Sequence, residues 1–340
     1  MRIEILHPVR HADRIGALTH PGSGYRFVDA WDMARAEILA VNSGELPSPS
    51  TEARFVVYPW RKTIVRLPNS ELYRRLRSSR NRFIIEDDEQ SRWAEAVLGV
   101  AGLSVGASAL TSCSLTGARR FRLAEYDTLS ITNLNRLAAS VCDIGTPKLA
   151  LAQRRVLELD PYSSIDAFPE GCSRDSTAAF LGTASGCDQL AVLIEEMDDI
   201  AAKVELRKQA RAAGIPVVMA TDNGDNAILD VERFDLDRQY PLFHGRAGGV
   251  EAWPAKDLRN PRHRVALAQR IVGIELTART RFSLTQVGRT LTGWPQLGTA
   301  AAVAGAAAAY AARLIVTGHP LQSGRYRVDL DDTLLGHQAE

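Results

Sequence analysis

Beyond about residue 96 the chain alternates short unbroken apolar runs with longer amphipathic stretches. Ala96-Val-Leu-Gly-Val-Ala101 has the length and content of a buried strand, and a helix is expected from Ser104, a good N-cap, to a stop at Gly117. A second strand, Arg120 to Tyr126, ends in acidic residues, and Thr146-Pro147 opens a helix that Asp160-Pro161 closes. Leu190 to Ile194 reads as a strand, Asp198/Asp199 to Gly214 as a helix, and Ile215-Pro-Val-Val-Met219 as another strand. The segment from Leu297 to Val316 is alanine-rich and apolar on every side, which suits a helix buried in a protein core.

This repeated strand-helix order predicts an α/β fold, a Rossmann-like, mainly parallel sheet flanked by helices. Residues 1–75 form an additional N-terminal section, with a loop-like Asn42 to Ser50 and a strand-like Arg54 to Tyr58. Its role is not legible. Residues 76–340 form the main domain, with a nucleotide-binding half at about 95–230 and a C-terminal half at about 231–340. Arg74, Arg75, Arg77 and Arg80 suit a solvated helix face.

Composition narrows the function. The 340 residues carry 41 basic and 40 acidic side chains, so no charge excess points to nucleic acid or a membrane surface. The N-terminus lacks the long apolar run of a signal peptide, and a cytoplasmic protein is expected. The four cysteines, Cys113, Cys142, Cys172 and Cys187, have no CxxC spacing, so free thiols and no zinc site are expected.

Candidate chemistry gathers at the strand ends. Gly102-Leu-Ser104-Val-Gly106 joins a strand to a helix, where glycines let the backbone approach a phosphate and the helix end offers free N–H groups. The same glycines also suit tight strand-to-helix packing. Glu125-Tyr-Asp127 follows about 20 residues later, where an acidic side chain can accept from ribose hydroxyls. Thr221-Asp222-Asn-Gly-Asp-Asn226 follows a strand end, so Asp222 and Asn226 are substrate-side candidates or parts of a plain turn. His244 is a base or a structural histidine.

The segment Asp127-Thr-Leu-Ser-Ile-Thr-Asn-Leu-Asn-Arg136, followed by Ile144-Gly-Thr-Pro-Lys148, resembles the ThiF/MoeB superfamily of ATP-dependent adenylating enzymes. Members carry an acidic-aromatic-Asp unit, then Ser-Asn-Leu-x-Arg and Gly-x-Pro-Lys units; here Thr132 stands where serine is usual. Arg80-Asn-Arg-Phe-Ile-Ile85, the acidic run Ile194 to Asp198, and the part from Trp294 to Arg325 extend the resemblance over roughly residues 80–330. It implies ATP and Mg²⁺ as cofactors. Glu125 would hold the ribose; Asn133, Arg136 and Lys148 would hold phosphates; Asp198 would bind Mg²⁺. Arg82 would reach the phosphates from the other subunit of a homodimer. Cations at the reaction centre are also what the chemistry demands, because a carboxylate attacking an α-phosphate brings two anions together.

The sequence departs from the family at Ser104 and Val105, where glycines are usual, so the phosphate turn is expected to differ in shape. Relatives that pass the acyl group to a thiol use a cysteine beyond the Met219 strand, and here none follows Cys187. Cys172 and Cys187 are the remaining relay candidates. The resemblance therefore implies adenylation of a carboxylate on a peptide, a carrier protein or a small acid, then capture by a nitrogen nucleophile. Alternatives are activation of a ubiquitin-like or sulfur-carrier protein with the thiol on a partner, an NAD-binding oxidoreductase using the glycine turn and Glu125, and a catalytically silent binding module.

Overall fold

The computed structural model describes residues 2–173 and 175–336. Contacts divide the chain into two compact units, one of Met1–Gln90 with Asp160–Tyr162 and one of Ser91–Leu159 with Ser163–Glu340.

The first unit is built on a four-stranded sheet of β1 (Glu4–Leu6), β2 (Arg26–Asp29), β3 (Ala53–Tyr58) and β4 (Thr63–Pro68), in the order β1-β3-β4-β2. Val57 and Ile64 pair across β3 and β4, and pack with Leu6 and with Ile15 and Leu18 of α1 (Ala12–Thr19). Arg74, Arg75 and Arg77 fall on α2 (Ser70–Arg77), which buries only Leu72 fully.

The second unit holds a seven-stranded sheet: β5 (Val97–Ala101), β6 (Arg120–Ala124), β7 (Ser164–Phe168), β8 (Val192–Glu195), β9 (Val217–Asn223), β10 (Asn226–Glu232) and β11 (Gly324–Val328). The order is β11-β10-β9-β8-β5-β6-β7, parallel from β9 to β7 and antiparallel at β9-β10 and β10-β11. Every residue of β5 is buried, as expected for a parallel strand covered on both faces. One face packs α3 (Val105–Leu115), α4 (Lys148–Leu159) and the alanine-rich helix; the other packs α5 (Ile200–Ala213) and the following segment through Phe234, Leu242 and Ile271. α6 (Pro261–Val272) lies in that segment, and α7 (Gly298–Thr317) is the alanine-rich helix. α7 is long and apolar enough to cross a membrane by length and composition, yet it packs through Ala301, Ala304, Ala308 and Ala312 into the core of the sheet.

Of the two readings of Asp222 to Asn226, the structure shows the turn: Asp222 and Asn223 end β9, Gly224-Asp225 turns the chain, and Asn226 starts β10. Gly224 has φ +71°, in the left-handed region that a tight hairpin turn requires.

Candidate nucleotide-binding site

β5 and β8 are neighbours, and the connection after β5 runs to β6 on one side while that after β8 runs to β9 on the other, which makes their carboxyl ends the place where open α/β sheets hold ligands. Gly102, with φ +87°, begins the turn there; a Cβ on it would stand 2.5 Å from the Glu196 carbonyl oxygen and 2.9 Å from the Met197 nitrogen. A Cβ on Gly106 would approach Val100 to 3.1 Å, so this glycine is fixed by close helix-strand packing. Ser104 is the N-cap of α3 but makes no side-chain cap bond; its Oγ instead accepts from Arg136 Nε at 2.9 Å.

Glu125 is buried, and its carboxylate is turned onto backbone. Oε2 accepts from Leu103 N at 2.8 Å, and Oε1 from Tyr126 N and Asp127 N at 2.9 Å each. Asp127 is half exposed and pairs with the buried Lys148, Oδ2 to Nζ 3.0 Å. Asn133 closes a local capping box, its Oδ1 accepting from Ser130 N and Oγ. Arg136 also donates to the Thr132 carbonyl at 3.2 Å and to Asn135 Oδ1 at 3.1 Å. Burial draws its pKa down against the opposing pull of Asp198 and Asp222.

A cavity of about 660 Å³ opens at these strand ends, lined by Gly102, Ser104, Glu125, Asp127, Lys148 and Asp198, and also by Lys208, Trp253 and Leu258. Arg136 and Lys148 line an adjoining cavity of about 310 Å³. A third, of about 140 Å³, shares Ser104, Glu196, Met197 and Asp198 with the largest and reaches Asp222. Asp198 is exposed on the wall, and Asp199 caps α5 by accepting from Ala201 N and Ala202 N.

Asn133 and Gly106 are adjacent but outside these walls. Asn226 stands apart: its Oδ1 accepts from Leu330 N and Asp331 N, and its Nδ2 donates to Asp331, tying β10 to the C-terminal segment. Arg82 belongs to the first unit, where it faces Asp87 at 3.5 Å. Both ring nitrogens of His244 are engaged, Nε2 with Asp230 at 3.1 Å and Nδ1 with the Tyr240 hydroxyl at 2.9 Å, so the histidine braces β10. Cys172 lies on the wall of the largest cavity with its thiol pushed up to about 12 by burial; Cys187 is exposed and lines none of the three cavities.

Sequence reasoning passed over Glu196. Its Oε1 accepts from Ala220 N at 2.7 Å, and burial holds its pKa well above the usual carboxyl range. Glu195 beside it faces the other way. Burial opposes its ionisation, but Lys203 and Arg207 outweigh that and hold its pKa below the ordinary value. The acidic run Glu195-Glu196-Met-Asp198-Asp199 was the available signal, because strand alternation sends neighbouring residues to opposite faces.

A model of the ThiF family matches residues 78–330, and the chain belongs to that family. It is 39% identical over 315 residues to the uncharacterised protein MT1398 of Mycobacterium tuberculosis (strain CDC 1551 / Oshkosh), covering 91% of this chain and 42% of that protein. It is 30% identical over 149 residues to the tRNA threonylcarbamoyladenosine dehydratase of Bacillus subtilis (strain 168), covering 42% of this chain and 56% of the enzyme. The chain thus spans well under two thirds of either relative. In fold it is similar to the crystal structure of E. coli MccB with ATP, with a TM-score of 0.51, 16% identity, and 77% of this chain and 70% of that one covered.

Proposed function

We propose that the protein adenylates a carboxylate with ATP and releases pyrophosphate, and that a nitrogen nucleophile then captures the acyl adenylate to give an amide or a ring. The observation that carries this reading is the 660 Å³ cavity at the carboxyl ends of β5 and β8, which the glycine turn, Glu125, Lys148 and Asp198 line together. ThiF-family membership and the fold shared with an ATP-bound protein support it.

In this reading Gly102 and Ser104 bring the N-terminus of α3 to the phosphates, and Arg136 and Lys148 neutralise them. A helix end contributes about 0.3–1 kcal/mol per charge and charged hydrogen bonds about 1.5–3 kcal/mol each, so the two cations outweigh the altered glycine turn. Among the described residues Glu125 Oε2 accepts one bond, from Leu103 N, and it keeps capacity for a ribose hydroxyl. Mg²⁺ takes one or two protein carboxylates together with phosphate oxygens and water, and the exposed Asp198 fits that donor set. When bound, the ion would offset phosphate charge.

No cysteine relay is invoked. Burial holds the Cys113 and Cys172 thiols near 12, far from the thiolate a relay needs, and no cysteine follows Cys187. The acyl donor is a peptide, a carrier-bound acid or a small carboxylic acid, and the enzyme works as a homodimer in which Arg82 serves the partner's site. Beside Arg82, Phe83 and Ile84 are 83% and 81% exposed, and Phe83 holds φ +69°, an unfavourable conformation for a bulky residue that a partner surface would stabilise.

A thermal-shift comparison tests the reading: ATP with Mg²⁺ should stabilise the wild type, by about 2.7 kcal/mol at 100 times its dissociation constant, and Arg136→Ala should lose most of the effect. Stabilisation by NAD alone would instead support an oxidoreductase, and no response to either nucleotide a silent binding module.

A further inference from the structure

The 140 Å³ cavity shares Ser104, Glu196, Met197 and Asp198 with the 660 Å³ one and adds a carboxyl group, Asp222, that the adenylation reading does not use. Val105, Met219, Ile271 and Trp294 give it apolar walls, while Glu196, Asp198 and Asp222 give it acidic ones. Lys203 also borders it, but its ammonium is engaged by both oxygens of Glu195 at 3.0 Å. Asp222 is only 4% exposed; its Oδ2 accepts from Gln296 Nε2 at 3.1 Å, and its Oδ1 has no hydrogen-bond partner among the described residues. An unpartnered carboxylate oxygen at the wall of a small apolar cavity calls for an N–H donor. Asp222 and the neighbouring Asp198 give the opening negative charge, which repels an acyl carboxylate and attracts a cation. Arg136 lies near enough to act electrostatically on Asp222, but it is anchored to Ser104 and the Thr132 carbonyl.

We propose that this cavity receives a primary ammonium group, the nitrogen nucleophile of the second half-reaction, and that Asp222 is its proton acceptor. The proposal rests on the adenylation reading. Asp222 takes one proton from the bound ammonium and so frees the nitrogen lone pair. The nitrogen attacks the acyl carbon, the C–N bond forms, the bond from that carbon to the phosphate oxygen breaks, and AMP leaves with the electron pair. The second nitrogen proton departs with the AMP phosphate. Ser104, Glu196, Met197 and Asp198 wall both cavities, so the amine on one side borders the place where the acyl adenylate forms on the other.

Ethylammonium and tetramethylammonium chloride separate N–H donation from charge. Ethylammonium should raise the melting temperature of the full-length wild type in a dose-dependent way, and tetramethylammonium, bulkier and without N–H, should not. Asp222→Asn and Asp222→Ala should each melt cooperatively and lose the ethylammonium response. At pH 6, calorimetry in two buffers of different ionisation enthalpy should show part of a proton released as ethylammonium binds the wild type. Equal responses to the two cations, or an ethylammonium response that survives in both variants, would overturn the proposal. A wild type that responds to ethylammonium but not to ATP with Mg²⁺ would keep the amine site and sink the adenylation reading instead.

Discussion

Asp222 carries a cost in the folded protein that its surroundings only partly offset. Burial lifts its pKa from 3.8 to about 6, against the lowering pull of Gln296 and Arg136. The folded state therefore holds this proton more tightly than the unfolded chain does. Below about pH 4 both states are protonated and no penalty exists; as pH rises from about 4 to 6 the unfolded chain ionises first and stability falls; above 6 the full penalty applies. The gap corresponds to on the order of 3 kcal/mol. Asp222→Asn should accordingly stabilise the protein at pH 7 by up to that amount and gain little at pH 4, measured by urea unfolding at both values. An equal gain at both would assign the effect to packing. Glu125 teaches a related lesson at the same scale. Its place at a strand end was legible from spacing, but the return of its carboxylate onto the N–H groups of Leu103, Tyr126 and Asp127 depends on two loops meeting in space.

At the scale of elements, the sequence declared those strands and helices whose stability is local in origin. β5 and β8 are apolar runs, α5 is capped by the Asp199 side chain, and it ends at a glycine in the left-handed region. β10 was hidden because its acidic residues are neutralised from far away. Asp230 is paired with Arg325, 95 residues on, and Glu232 with Arg207, 25 residues back, so a strand of buried charge looks like a polar loop in sequence. The turn at Gly224 was one of the two readings of that segment; the strand it leads into was not read, although two strand-like runs separated by Gly-Asp are a hairpin signal. The alanine-rich α7 was read correctly as a core helix, and its packing against α3 makes a sharp prediction. A Cβ on Gly305 would stand 2.7 Å from the Ala109 backbone nitrogen, and backbone cannot yield as a side chain does. Gly305→Ala would gain about 1 kcal/mol of helix propensity but should lose about 1–3 kcal/mol to overpacking. A net loss of stability in denaturant titration is expected, and a more stable variant would show that the two helices separate at little cost.

At the scale of the molecule, the 660 Å³ cavity proposed for the nucleotide and Arg82 belong to different compact units, the cavity to the second and Arg82 to the first. If a homodimer forms, an arginine on one subunit can complete the site of the other, and a two-fold axis then makes two such sites. That arrangement has a signature that no single-chain site can imitate. Asp198→Asn removes the carboxylate from a subunit's own cavity, whereas Arg82→Ala removes the group lent to the partner. In a heterodimer of the two variants, the Arg82→Ala subunit keeps its own Asp198 and borrows an intact Arg82, while the other site lacks both. Random re-pairing of equal amounts makes half the dimers mixed, each with one complete site, so about a quarter of the wild-type site number should return. Isothermal titration with ATP and Mg²⁺ reads that number directly, after the two proteins are mixed and allowed to exchange. Recovery to about a quarter supports exchange of Arg82 between subunits, and a mixture that binds no better than the separate variants would place Arg82 either within its own chain's site or outside the site altogether.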